Sequence, residues 1–311
     1  MNEQLPTASS EPPPVTSFVE RNQINPVAFV LFCLAGIFLI YFMGSVFVML
    51  LAGSQITREN VWLHRTLTMI GHVVFFFVPS IVCARLMTGN LKELFPWRVP
   101  TFRETFFGLL GLFWLQQIFQ IVLHFQDQIP LPEELRRIID PIKESVEATL
   151  REMVHAESLP ELGFVILVVA VVPAVVEELL FRGFVQGSFQ RRYTPLVSIL
   201  FSGGVFAFFH LNPFSLIPLI GLGLYFGYLR YRSQSIIIAM TAHFLNNVLA
   251  VLAVYFGYGE EVTIGTASGL EPSTGALFAQ LVLLSMLFAV TFSAYIRSTL
   301  HDDSDSTTEA Q

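Results

Sequence analysis

Eight long apolar stretches divide the 311-residue chain, and each must be kept from water. They fall at about 27–52, 66–86, 105–125, 161–189, 195–211, 214–230, 235–256 and 275–297. A helix that crosses the hydrocarbon core needs about 20 apolar residues, within a range near 17–25. Lipid offers no partner to backbone N–H and C=O groups, so a spanning segment must satisfy them internally. The pattern therefore predicts an all-α, polytopic transmembrane bundle of about eight spans. The fifth and sixth stretches are at the short limit and are expected to be tilted or broken. Composition agrees, with 53% hydrophobic and only 13% charged residues, against roughly 25% charged in a soluble domain. A net charge of −7 without a basic stripe excludes nucleic acid as a partner. The partners expected are the lipid bilayer and a membrane-associated protein or peptide.

Residues 1–25 are polar and proline-rich, with neither a basic segment nor an apolar run of a signal peptide. They read as a disordered tail. Residues 301–311, HDDSDSTTEAQ, read as an acidic tail of the same kind. The membrane domain is then 26–300. With eight spans both tails share one side. The opposite side takes Arg58, Arg65, Arg136, Arg137, Lys143 and Arg151, and the remaining Lys and Arg of the 17 lie on the side of the tails. The positive-inside rule places both termini in the cytoplasm of a multi-pass protein of the cell membrane. Cys33 and Cys83 lie in apolar runs without metal-ligand spacing and read as small buried residues.

The long connection 126–160 has its own period. Leu135, Ile138, Ile139, Ile142, Val146, Leu150, Met153 and Val154 make one apolar helical face. Pro132 and Pro141 mark its start or a break. An amphipathic helix on the membrane surface is expected, with a cover over a cavity as the alternative.

Ionisable groups inside hydrocarbon are costly, about 2.5–3.5 kcal/mol on insertion scales, and usually face a polar interior. The second stretch contains His72, but the fourth, fifth and seventh carry nearly all of these groups. The fourth reads VVPAVVEELLFRGF. Glu178 and Arg182 are four apart and share a helical face, so they can pair. Glu177 points about 100° away and is left to face a cavity. Pro173 predicts a kink beside it. The fifth stretch places Phe206 and His210 four apart, after Gly203 and Gly204, which suit close helix packing. The seventh stacks His243 over Asn247, with Asn246 pointing elsewhere. At 1.5 Å per residue, Glu177, His210 and His243 all fall roughly at mid-membrane.

Two chemistries suit this set. Glu177 can activate water as a general base, with His243 and Asn247 binding a developing oxyanion. Alternatively Glu177, His210 and His243 form a His₂Glu site for Zn²⁺ with an open position. Either would hydrolyse an amide, and the residue types leave both open.

Three motifs now stand in order on three apolar stretches: EExxxR as Glu177, Glu178 and Arg182; FxxxH as Phe206 and His210; HxxxN as His243 and Asn247. Together they resemble the CPBP family, which groups CAAX prenyl endopeptidases with bacteriocin-processing and immunity proteins. The resemblance covers about 175–250 within a motif core of 161–256. It implies an all-helical intramembrane endopeptidase in which Glu177 activates water beside His210. His243 and Asn247 correspond to the third-motif pair, and Glu178 and Arg182 to a supporting ion pair. Both a metal-dependent and a metal-free mechanism are associated with the family. Nothing in the chain reads a prenyl group.

Other protease designs fit less well. There is no HExxH, and aspartate is absent from the apolar centres. Ser202, before Gly203 and Gly204, lacks the surrounding pattern of a serine intramembrane protease. Two other classes compete with the endopeptidase reading. One is a silent immunity or scaffold protein that keeps the motifs for structure. The other is a proton-coupled transporter, which also uses intramembrane Glu and His.

Overall fold

The computed structural model describes residues 17–257 and 273–299, and every structural statement below concerns those residues. The acidic tail at 301–311 and most of the N-terminal tail lie outside them. Residues 17–25, read from composition as tail, are ordered. Ser17 and Glu20 close a capping box on the helical turn Phe18–Arg21, and Val19 is buried in the bundle. One short apolar anchor and two reciprocal hydrogen bonds outweigh the polar surroundings.

Nine longer helices follow: α1 (Pro26–Ala52), α2 (Val61–Met87), α3 (Phe102–Asp127), α4 (Glu133–Val154), α5 (Leu159–Gln190), α6 (Pro195–Phe209), α7 (Pro213–Ser233), α8 (Ile236–Tyr255) and α9 (Thr274–Ser298). Seven of them are long and apolar enough to cross a membrane. The eighth apolar helix, α6, has only 15 residues, about 22 Å of rise against a core of about 30 Å. It stops at Phe209, and the chain turns through Leu211, in a left-handed conformation, before α7 begins. Non-helical backbone at such depth is tolerated where it lines a cavity.

Most helix starts are chemically marked. Asn25, Thr101, Ser158, Thr194, Ser235 and Ser273 each accept a first-turn N–H of the helix that follows. Three segments are wound as π-helix: Val73–Phe77, Ile166–Val171 and Leu179–Gln186. The first two end two residues before Pro79 and Pro173. A proline ring clashes with the preceding turn and donates no N–H, and a widened turn makes room for it. The irregularity expected at Pro173 is thus taken up by a wide turn.

Helix α5 is the axis of the bundle. Its Leu180, Phe181, Phe184 and Val185 are fully buried, packed with Val30 and Ile37 of α1, Phe76 of α2, Phe206 of α6 and Ile236 of α8. Helices α3 and α9 pair on the outside and join the bundle through α7 and α8. The Tyr225 hydroxyl donates to the Gly108 carbonyl at 2.7 Å, and the Tyr295 hydroxyl to the Leu229 carbonyl at 2.9 Å. Helices α6 and α7 touch at Gly203 and Gly223, as small residues permit in lipid. The neighbouring Gly204 faces open space, so only one of the two glycines serves this approach.

Helix α4 runs through Pro141 without a break, with Pro132 at its N-cap. None of its residues is buried. Its last turn does not merely lie on a surface: Leu150, Met153 and Val154 wall the central cavity. The fully buried Arg65 of α2 fastens that turn. Its guanidinium donates to the carbonyls of Glu152 and Met153 at 2.9 and 3.1 Å and to that of His155, and it pairs with Glu161 at 2.7 Å.

Candidate active site

A cavity of about 300 Å³ opens among α2, α4, α5, α6, α7 and α8, and Glu177, His210, His243 and Asn247 all line it. Glu177 is only 8% exposed. The Oε2 atom of Glu177 is buried and has no hydrogen-bond partner. His210 Nε2 is 3.9 Å away, too far for a direct bond and suited to a bridging water.

Glu178 takes the opposite role. It is fully buried behind the cavity, and its Oε1 receives both Arg182 Nη1 and His243 Nδ1 at 2.9 Å. Arg182 is equally buried and gives Nη2 to the Gly223 carbonyl at 3.1 Å. Its guanidinium carbon lies 4.4 Å from the centre of the Phe206 ring. Charges this deep are held by pairing with each other, although Glu178 Oε2 and Arg182 Nε are buried without a hydrogen-bond partner.

Phe206 explains its own motif. Its ring covers Arg182, and its carbonyl lies 2.8 Å from His210 Nδ1. A carbonyl only accepts, so Nδ1 carries the proton and Nε2 turns to the cavity as an acceptor. His243 is held likewise, with Nδ1 on Glu178 and its ring stacked on Phe226 at 5.3 Å.

Asn247 donates to the Val169 carbonyl at 2.9 Å, within the π-wound part of α5. Its oxygen accepts from Asn246, whose own oxygen accepts from Gln116 of α3, each at 3.0 Å. Asn246 therefore does not point elsewhere. It lines the same cavity and fixes the Asn247 amide, which keeps a second N–H uncommitted. Rotation by about 100° per residue separates the Cα vectors, but adjacent amides can still bond side by side.

Sequence reasoning also missed His72. This residue of α2 reaches Glu177 from across the cavity, with Nε2 3.4 Å from Oε1. The only signal was an ionisable group in the middle of an apolar run. Ser202 is fully buried, and its hydroxyl is committed to the Phe181 carbonyl at 2.8 Å. Among the described residues, no three His, Cys, Asp or Glu side chains are arranged as a metal-holding group. The candidate set Glu177, His210 and His243 shares one cavity without that arrangement.

Residues 160–249, which carry every motif residue of this site, match the family model described as type II CAAX prenyl endopeptidase Rce1-like. The match is to this segment of the chain alone. This agrees with the resemblance carried by the three motifs and supports an endopeptidase acting on a membrane-associated substrate. No curated protein and no solved structure matches the chain.

Proposed function

We propose that the chain is an intramembrane endopeptidase that hydrolyses a peptide bond with water activated by Glu177, without a metal in the reaction steps. One observation carries this reading: a buried carboxylate with one unpartnered oxygen belongs to a largely apolar cavity deep in the bundle, opposite an imidazole at bridging-water distance.

A water between Glu177 Oε2 and His210 Nε2 would give one hydrogen to each acceptor and turn a lone pair to the substrate carbonyl. Glu177 takes the proton as the oxygen attacks. The uncommitted N–H of Asn247 stabilises the oxyanion, beside His243. The proton then passes to the leaving amine, so one water is consumed and each fragment gains a closed valence. Glu178 and Arg182 stay out of the chemistry and hold His243 and α7 in register.

The substrate is a membrane-associated protein or peptide, admitted where α6 ends short and the turn at 210–213 replaces a full span. The arginine-rich ends of the helices, with both termini, face the cytoplasm of the cell membrane.

The test is cleavage by protein in lipid nanodiscs mixed with a membrane-protein extract, with new peptide ends counted by mass spectrometry. Wild type should generate ends absent with Glu177→Gln. Equal yields from the two would overturn the proposal. A silent scaffold predicts that equality, and a transporter adds a proton-dependent flux lost in the variant.

A further inference from the structure

The outer pair of helices, α3 and α9, encloses a groove of about 810 Å³ that shares no residue with the cavity around Glu177. Its shape follows from the sequence of α9. Ala289, Ser293 and Arg297 recur at steps of four, so one face of the helix carries small side chains up to its last turn. Small residues leave a furrow where larger ones would interdigitate, and Phe107 of α3 forms the opposite wall. The volume lies within the range of about 300–1,000 Å³ usual for small-molecule sites.

The two ends of the groove differ in chemistry. At one end stand Arg103, in the first turn of α3, and Arg297, in the last turn of α9. Both are exposed, and neither side chain has an ion pair or hydrogen bond among the described residues. The carboxylate nearest in sequence, Glu104, is buried and already held by Arg98 and by the Thr101 N–H, each at 2.6 Å. Ser293 and Ser298 donate their hydroxyl protons to the Ala289 and Tyr295 carbonyls at 2.7 and 2.8 Å. The two guanidinium groups are therefore the uncommitted side-chain donors of the groove. The other end is apolar, with Val290 seven residues before Arg297, about 10 Å further along the helix. Helix α9 has 25 residues, about 37 Å of rise against a hydrocarbon core of about 30 Å. Its last turn thus reaches the headgroup layer, while Val290 lies at acyl-chain depth.

We propose that this groove binds an anionic phospholipid of the leaflet at the C-terminal end of α9, with its phosphate between Arg103 and Arg297 and an acyl chain along Val290 and Phe107. Two cations without a counter-charge, set at the edge of an apolar furrow, complement a ligand with a negative head and an apolar tail in that order of depth. The planar fork of arginine suits phosphate oxygens. A zwitterionic head brings its own ammonium beside the guanidinium groups, so a net negative head such as that of phosphatidylglycerol is preferred. A soluble anion would satisfy the arginines and leave the furrow unfilled. The site does not rest on the endopeptidase reading, because it lies on another face of the bundle from Glu177.

Native mass spectrometry of the detergent-solubilised full chain, titrated with phosphatidylglycerol or with phosphatidylcholine, reads the binding. Wild type should hold one phosphatidylglycerol at least about tenfold more tightly than phosphatidylcholine. Arg103→Gln combined with Arg297→Gln should erase that preference. Arg85→Gln, in the last turn of α2, should keep it. If the double variant does not fold, Ser293→Leu fills the furrow with both charges in place and should weaken phosphatidylglycerol by a similar factor. No preference in wild type, or a preference that survives both the arginine pair and Ser293→Leu, overturns the proposal. Glycerophosphoglycerol, the same head without acyl chains, should fail to displace the lipid at equal concentration. Displacement would make this a site for a soluble anion and overturn the lipid. The chain's own acidic end is the other candidate occupant, tested by Asp302→Asn, Asp303→Asn and Asp305→Asn together. A preference for phosphatidylglycerol that emerges only in that triple variant would give the groove to the tail and overturn the proposal.

Discussion

Gly203 of α6 and Gly223 of α7 meet backbone to backbone: a Cβ on Gly223 would lie 2.8 Å from the Gly203 carbonyl oxygen and 2.9 Å from its Cα. The contact matters beyond packing, because the Gly223 carbonyl is also the acceptor for Arg182. Gly223→Val should therefore separate the two helices and tilt that acceptor away. A loss of about 1–3 kcal/mol is expected from overpacking, read as a lower midpoint in thermal unfolding of the detergent-solubilised protein. Gly204→Ala, at open space, should leave the midpoint unchanged.

Removing one partner of the buried Glu178–Arg182 pair strands the other. Arg182→Met should cost about 3–5 kcal/mol. The double variant Glu178→Gln with Arg182→Met should recover much of that loss, since Gln still offers an oxygen to His243. Unfolding midpoints of the two singles and the double make a cycle that reads the coupling. Additivity of the singles would show that the pair is not coupled.

Metal content gives an independent check on the reaction. Mass spectrometry of purified active protein should find far less than one zinc per chain, and a strong chelator should leave the cleavage rate unchanged. Stoichiometric zinc that disappears in both His210→Ala and His243→Ala would require the His₂Glu site instead.

The hold of Arg65 on α4 predicts where the bundle loosens first. Arg65→Met removes three contacts to carbonyls at the end of a helix that buries no residue of its own, and a fourth to Glu161 of α5. Hydrogen exchange over 133–154 should rise at least about tenfold, while exchange in α5 stays slow. No change across 133–154 would mean that apolar contacts alone hold α4.

The middle of α4 is tied by Lys143 to Asp127 at the end of α3, 2.6 Å apart. The Asp127 carboxylate holds the Lys143 ammonium above its ordinary value. A raised folded value means the tie is complete below the unfolded value near 10.5 and is lost only as pH climbs through the folded one. Protease protection of α4 should thus be flat between about pH 6 and about pH 9, and lower throughout in Lys143→Met. A marked fall within that window would assign the tie to another group.

The span pattern was legible because hydrophobicity is a local property: the eight apolar stretches correspond to eight apolar helices, with the short fifth ending at Phe209. Periodicity likewise placed Glu178 beside Arg182. What a period cannot give is the angle at which separate helices face each other. His72 is as isolated in its run as any core histidine, and only the docking of α2 against α5 brings it to Glu177. Asn246 was misplaced for a related reason, since it shares the cavity through a chain of amides reaching Gln116 on α3. The π-turns have no sequence signal beyond the prolines that follow two of them. The third, Leu179–Gln186, has none.

His72 belongs to α2, whereas the stretch that matches the Rce1-like model begins at residue 160. The matched segment and the residues that line the cavity therefore do not coincide. A chimera that transplanted residues 160–249 into another helical host would carry every recognisable motif and leave behind an imidazole that touches the central carboxylate. A segment that keeps the lining of the cavity whole runs from α1 through α8.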